Sequence, residues 1–268
     1  VALGYAEGFE QSFDAAQVGE AVRFLQRFGY ARIRSAIPAA ATAALQHSAR
    51  EVAAGCVPGD RFSWWARDRA GRERVSRLIY AGLRSPEIGA ISTHPLYRQV
   101  VDSLDLDLVA MHDRMDGHIV VYKNVDSSDE TLVNLPWHKD CGLGLHPWLC
   151  PSVLIGLQFT DADEQSGQLC FLPGSHRFAS GVWEALCWSD RSVAVTASRG
   201  DLTLHFGDVL HAAPPALKPE RGRETLYTQF YSRAILDMVP AGKGQNDIIK
   251  AEERDGLVDG GERQLVAV

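Results

Sequence analysis

Apolar and polar positions follow two different periods along this chain, and the change comes near residue 105. In residues 12–29, Val18, Val22 and Leu25 recur at helical spacing, with Asp14 placed to cap the start and Gly29 to end it. Residues 30–34 alternate like a short strand, and Pro38 then opens an alanine-rich helix that closes at Gly55. His94 and Pro95 precede a third predicted helix over 96–104. Beyond it the pattern becomes short apolar runs divided by Gly, Pro and Asp turns. Strands are predicted over 106–112, 118–123, 152–160, 168–172, 202–206, 209–212 and 225–233, with Asp116-Gly117 as a hairpin turn between the first two. Helices first and strands later indicate an α+β fold, and this strand spacing indicates a sandwich or barrel with the helices bracing its outside. The expected organisation is one domain over 1–268: a helical part over 12–104, a β core over 105–235 and an irregular, glycine-marked tail over 236–268.

Residues 60–77 stand apart. Arg61, Arg67, Arg69, Arg72, Arg74 and Arg77 alternate with acids and follow the pair Trp64 and Trp65. One reading is a solvated segment of compensating charges. The other is a lid or substrate loop, its tryptophans forming apolar walls and an arginine holding an anionic group.

Composition narrows the function classes. Of the 268 residues, 46% are apolar and 23% charged, as in an ordinary globular protein. The formal charge of -7 argues against a nucleic-acid binder or a basic membrane-surface protein, so a small-molecule partner is expected. No run approaches the roughly eighteen apolar residues a membrane span needs, and no secretory signal pattern stands at the start. The chain opens on Val1 rather than Met, which leaves room for a trimmed leader. Cys56, Cys141, Cys150, Cys170 and Cys187 lack CxxC spacing, so a reducing cytoplasm is the simplest compartment.

The candidate chemistry centres on Leu135-Pro136-Trp137-His138-Lys139-Asp140. Two residues apart, His138 and Asp140 would share a face on an extended strand, whereas a helix would splay them by about 200°. Pro136, Gly142 and Gly144 argue against a helix. A second imidazole from elsewhere would complete two His and one carboxylate, the facial set of mononuclear non-haem Fe(II) oxygenases. His205 and His211 both offer themselves, and spacing alone barely separates them. Cys141 would point away from the His138/Asp140 face and reads as a packed neighbour.

The run PWHKD, the turn TDADEQSGQLCFLPGSHR (160–177), the run GDLTLHFGDVLH (200–211) and the later Arg223 resemble, in that order, the phytanoyl-CoA dioxygenase family. The resemblance covers roughly residues 20–235. It implies a double-stranded β-helix, a jelly roll of the cupin type, and a requirement for Fe(II), 2-oxoglutarate and O2. It places the metal on His138, Asp140 and His211, preferring His211 to His205. It implies an arginine for the far carboxylate of 2-oxoglutarate, for which Arg223 is favoured over Arg221, and gives Lys123 as a further contact. His176 takes a structural loop position, while His112 and His118 default to structural or surface roles and His146 to a possible substrate contact. One departure stands out: many relatives carry HGSGPN where this chain has His211-Ala212-Ala213-Pro214-Pro215-Ala216, so a hydroxyl that helps hold the cosubstrate is missing. Thr203, Tyr122 and Gln158 are the candidates to replace it.

The resemblance implies hydroxylation of an unactivated C–H bond of a small organic molecule, with succinate and CO2 as coproducts. Desaturation, epimerisation or cyclisation would use the same residues. A cupin-like dioxygenase without 2-oxoglutarate would have no need of Arg223, and a non-catalytic binding module would consume no oxygen. The retained Asp140 argues against halogenation, for which relatives carry a small residue there.

Overall fold

The computed structural model describes residues 12–126, 135–140, 152–177, 191–234, 236 and 239–244. Two sheets face one another. The larger runs in the order β1 (Ser12–Asp14), β2 (Tyr30–Arg34), β11 (Leu202–Phe206), β8 (Ser152–Gln158), β13 (Glu224–Ser232), β6 (His118–Tyr122), β4 (Glu73–Leu78) and β3 (Ser63–Arg67), with β5 (Leu108–Ala110) also on β13. The smaller is β10 (Val193–Val195), β9 (Leu169–Phe171), β12 (His211–Ala213) and β7 (Leu135–His138). Apart from the parallel β1–β2 pair, the ladders are antiparallel. This is the expected jelly-roll core. Tyr30 of the larger sheet stacks on Phe171 of the smaller, ring centroids 4.8 Å apart and nearly parallel, so the two inner faces meet.

The period of two decides what each face does. Across the larger sheet, register aligns Val121, Thr225, Gln158, Gly156, Thr203, Tyr227, Leu154 and His205 on the inner face. The alternating residues Val120, Leu226, Leu157, Ile155, Leu202, Leu204 and Phe230 are buried on the outer face. That outer face is covered by α1 (Val18–Phe28), α2 (Ala39–Ala54), α3 (Ala81–Arg84), α4 (Pro86–Ala90) and α5 (Pro95–Asp102). One polar clasp fixes α2 to the sheet: Glu224 accepts from Gln46 Nε2 at 2.8 Å and Arg50 Nη2 at 3.1 Å, and Tyr122 OH donates to the Ala49 carbonyl. No described helix is long and apolar enough to cross a membrane.

Several boundaries differ from the sequence reading, each for a physical reason. The first helix starts at Val18, because Ser12–Asp14 pair with β2 and Asp14 lends its backbone N–H to Gln17 Oε1 ahead of the helix. Residues 108–110 and 118–122 form no hairpin. Both lie along the same edge of β13, β5 against Phe230–Ser232 and β6 against Glu224–Thr228, so they are collinear. Met115, Asp116 and Gly117, all with positive φ, turn a detour between them rather than a reversal. The charged segment 60–77 belongs to the larger sheet as the β3–β4 hairpin, joined to it where Arg77 and Leu78 pair with Val121 and Val120. The helices α3 and α4 and the strand β10 are short elements without a readable period.

Leu226 is fully buried beneath the helical layer. Leu226→Ala should cost about 2–5 kcal/mol of unfolding free energy in denaturant titration. Leu217→Ala, at a position 65% exposed, should change it by less than about 0.5 kcal/mol.

Candidate metal centre

His138 closes β7 and His211 opens β12, and the two are direct cross-strand partners in the smaller sheet. Their ring centroids lie 4.2 Å apart. Asp140 follows two residues after His138, just past the end of β7, and its carboxylate reaches the same point as the His138 imidazole. Its Oδ1 is 3.3 Å from His138 Nε2, and its Oδ2 is 3.4 Å from His211 Nε2. One ligand atom from each of the three residues lies within 4.8 Å of the other two. Two ligands bound at about 2.1 Å and at right angles stand about 3 Å apart. The cluster therefore has the donors and spacing of adjacent corners around one divalent ion, with two imidazoles and a carboxylate as the set suited to non-haem Fe(II).

The two candidate histidines meet Asp140 from different sheets. His211 Nδ1 lies 3.0 Å from the Val209 carbonyl, which can only accept, so the proton is on Nδ1 and the Nε2 lone pair faces the carboxylate. His205 approaches from the opposite sheet, its Nε2 3.1 Å from Asp140 Oδ2. An ionised carboxylate only accepts, so His205 Nε2 can donate there, while the three ligand atoms that close on one point belong to His138, Asp140 and His211. Its Nδ1 is buried without a hydrogen-bond partner. Burial acts on both partners of the cluster. It pushes His211 down to about 3, helped by the neighbouring His138. Burial alone would raise the Asp140 carboxyl, but His211, His138 and His205 outweigh it and hold it well below the usual range. Neutral imidazole and ionised carboxylate are the forms a metal requires.

The cavity beside the cluster is lined by Ile119, Val121, Leu135, Leu154 and Leu169, with Arg223, Tyr227, Gln229 and Arg77 as its polar members. Arg223 is buried there, donating Nε to the Gly167 carbonyl at 2.7 Å and Nη1 to Thr225 Oγ1 at 2.8 Å and Tyr227 OH at 3.0 Å. Thr225 in turn donates to Gln158 Oε1, and Gln158 Nε2 donates to Thr203 Oγ1 at 3.2 Å. Thr203 and Gln158 are thus joined to Arg223 by a hydrogen-bonded row across three strands. Arg221 lies on the surface, paired with Asp163 at 2.8 Å. Lys123 points inward and donates Nζ to the Ala213 carbonyl at 2.8 Å, while burial, with Arg223 and Arg77 nearby, lowers its pKa far below the usual range. Tyr122 does not share this cavity; it lies on the outer face and bonds α2. Sequence reasoning missed Thr225 and Tyr227, although strand alternation from Arg223 would have placed both inward.

The motifs around the cluster act as scaffolding. The acidic turn folds on Asp163, which accepts from the backbone of Gln165 and Ser166 and so presents the Gly167 carbonyl to Arg223. In the LPGSH loop, Ser175 Oγ accepts the Leu210 N–H at 2.8 Å, one residue before His211. His176 Nε2 meets the Gln26 carbonyl of α1 at 3.1 Å, a structural position. His112 and His118 pack together with their rings tilted by 40°, 5.0 Å between centroids, with His118 on the outer face near Gly82. Cys141 and His146 lie outside the described residues.

A family model described as Phytanoyl-CoA dioxygenase (PhyH) matches residues 25–220. Among solved structures, the non-heme alpha ketoglutarate dependent epimerase SnoN from nogalamycin biosynthesis superposes with a TM-score of 0.64 at 19% identity, covering 81% of each chain. The carbocyclase SnoK of the same biosynthesis gives 0.63 at 17%, covering 84% of this chain and 92% of its own. AviO1 from Streptomyces viridochromogenes Tue57 gives 0.62 at 19%, covering 80% and 95%. At these identities the likenesses establish the fold. No curated protein matches the sequence.

Gly156 lets the row of polar side chains close over the sheet, since a Cβ there would meet the Tyr227 ring at 2.7 Å and Thr203 Oγ1 at 2.8 Å. Gly156→Val should therefore lower stability by about 1–3 kcal/mol in denaturant titration.

Proposed function

The chain belongs to the phytanoyl-CoA dioxygenase family, whose enzymes use Fe(II), 2-oxoglutarate and O2, and on that premise we propose that it hydroxylates an unactivated C–H bond of a small organic molecule, releasing succinate and CO2. The observation that carries this reading is the buried His138–Asp140–His211 cluster opening on a largely apolar cavity. In this proposal His138, Asp140 and His211 would hold the iron. With 2-oxoglutarate and O2, iron there would supply the oxidising power to break a substrate C–H bond.

The protein's own residues bind, orient and keep water out. The Val209 carbonyl fixes the His211 tautomer, and His205 holds the second oxygen of Asp140. Arg223 meets the far carboxylate of 2-oxoglutarate through Nη2, because its Nε and Nη1 are committed to Gly167, Thr225 and Tyr227. Having accepted from Arg223, the Tyr227 hydroxyl keeps its own proton to donate to the same carboxylate. Tyr227 thus replaces the hydroxyl missing after His211, with Gln158 and Thr203 orienting Thr225 behind it. Lys123 braces β12 through Ala213. The apolar walls from Ile119, Val121, Leu154 and Leu169 exclude water from the reacting bond.

A second reading is epimerisation or ring closure on the same residues, favoured by the fold likeness to an epimerase and a carbocyclase. The neighbour SnoN has been seen with Fe3+, alpha ketoglutarate and nogalamycin RO, which supports a small organic substrate here. The free Cys56 and Cys170 suit the cytoplasmic setting proposed for the enzyme.

Anaerobic Fe(II) with 2-oxoglutarate should give a visible absorption band, lost in His211→Ala and Asp140→Ala together with succinate release. Succinate formation by either variant would refute the assignment. His205→Ala should keep the band while metal affinity falls about 10–100-fold, as for a residue that orients a ligand. Arg223→Met should raise the KM for 2-oxoglutarate by about tenfold or more, the loss of a charge-assisted hydrogen bond.

A further inference from the structure

The arginines of residues 60–77 divide into two kinds. Arg67 pairs with Glu73, Arg69 with Asp126, and Arg72 and Arg74 with Asp68, all at the surface. Arg61 lies over the rings of Phe62 and Tyr80. Arg77 is different. On β4 it pairs with Val121, whose side chain faces inward, and it lines the cavity with Asp140, His205, His211 and Arg223. Its guanidinium lies over the Trp64 ring, 4.7 Å from the centroid, a cation–π contact within the β3–β4 hairpin. Among the described residues it makes no hydrogen bond and no ion pair, although it lies within electrostatic reach of Asp116 and Asp140. Burial pulls its pKa down, and those two carboxylates pull it up. Arg77 is half-buried at the cavity wall, so its guanidinium can take an acceptor that enters the cavity.

Resting on the 2-oxoglutarate reading of this cavity, we propose that Arg77 anchors a carboxylate of the organic substrate, with Trp64 packed against the guanidinium. The groups already committed to the cosubstrate make the organic substrate the source of that carboxylate. The cosubstrate's far carboxylate already has Arg223 and Tyr227, and its chelating end has the metal. A guanidinium on the hairpin edge therefore selects the acid and sets which C–H bond reaches the iron.

The test uses the full chain loaded with Mn(II) and saturating 2-oxoglutarate, titrated calorimetrically with matched probes: benzoate against benzamide and hexanoate against hexanamide. Wild type should bind the acid of at least one pair about tenfold more tightly than its amide, the scale of one charge-assisted hydrogen bond. Arg77→Met should bind acid and amide alike while its 2-oxoglutarate affinity stays within about twofold of wild type. Arg77→Gln, planar but uncharged, takes its place if the methionine variant does not fold. The proposal is overturned if wild type shows no preference for the acids, or if the preference survives the substitution. It is also overturned if 2-oxoglutarate affinity falls about tenfold, which would give Arg77 to the cosubstrate. Failure of the underlying reading looks different, since wild type would then lack the visible Fe(II)–2-oxoglutarate band.

Discussion

The architecture turns on one carboxylate largely shielded from water, its side chain 18% exposed. Asp140 is met by His138 and His211 from the smaller sheet and by His205 from the larger. An isolated buried carboxylate would cost several kcal/mol and would protonate instead. Here three imidazoles from two sheets make the ionised form the stable one. Two sheets must therefore close at the right separation for the charge to be tolerable, and the rest of the fold holds them there. The inner faces touch through aromatic contacts such as Tyr30 on Phe171 and Phe171 beside His211. The helices cover the other side of the larger sheet and leave the site untouched.

A division of labour between faces follows from strand alternation. On β13 the sequence Glu-Thr-Leu-Tyr-Thr-Gln-Phe sends Leu226 and Phe230 outward to the helical core and Thr225, Tyr227 and Gln229 inward. The outward residues supply the hydrophobic stabilisation. The inward residues spend much of their polarity on one another, through Arg223, Thr225, Gln158 and Thr203. A row of buried polar groups that is mutually bonded presents a fixed surface to a ligand and needs little reorganisation when one binds.

Much of this was legible in the sequence, and the unread parts share a cause. The pair His138 and Asp140, the acidic turn, the LPGSH loop, His211 and Arg223 were legible because each is a short local pattern whose order was itself informative. The two long helices and most core strands were legible from period. What could not be read was decided by partners distant in sequence. Nothing local says that residues 108–110 and 118–122 share one edge of β13 rather than pairing together. The segment 60–77 carries enough charge to mask its alternation, so the strand that brings Arg77 inward resembled a solvated loop. The two-residue spacing of His138 and Asp140 pointed to a shared face, and their side chains do meet, although β7 ends at His138.

The clasp between the LPGSH loop and α1 bears on how such a site comes into being. Gln26 meets His176, Ser175 meets the backbone at Leu210, and His211 meets His138, so each link joins segments far apart along the polypeptide. Such long loop closures are slow and come late in folding. In a zinc finger, metal and fold arrive together around ligands close in sequence, whereas here the ligand-type side chains come from separate strands. His211 lies on β12, so a nascent polypeptide lacks the complete cluster until that strand has emerged and paired with β7.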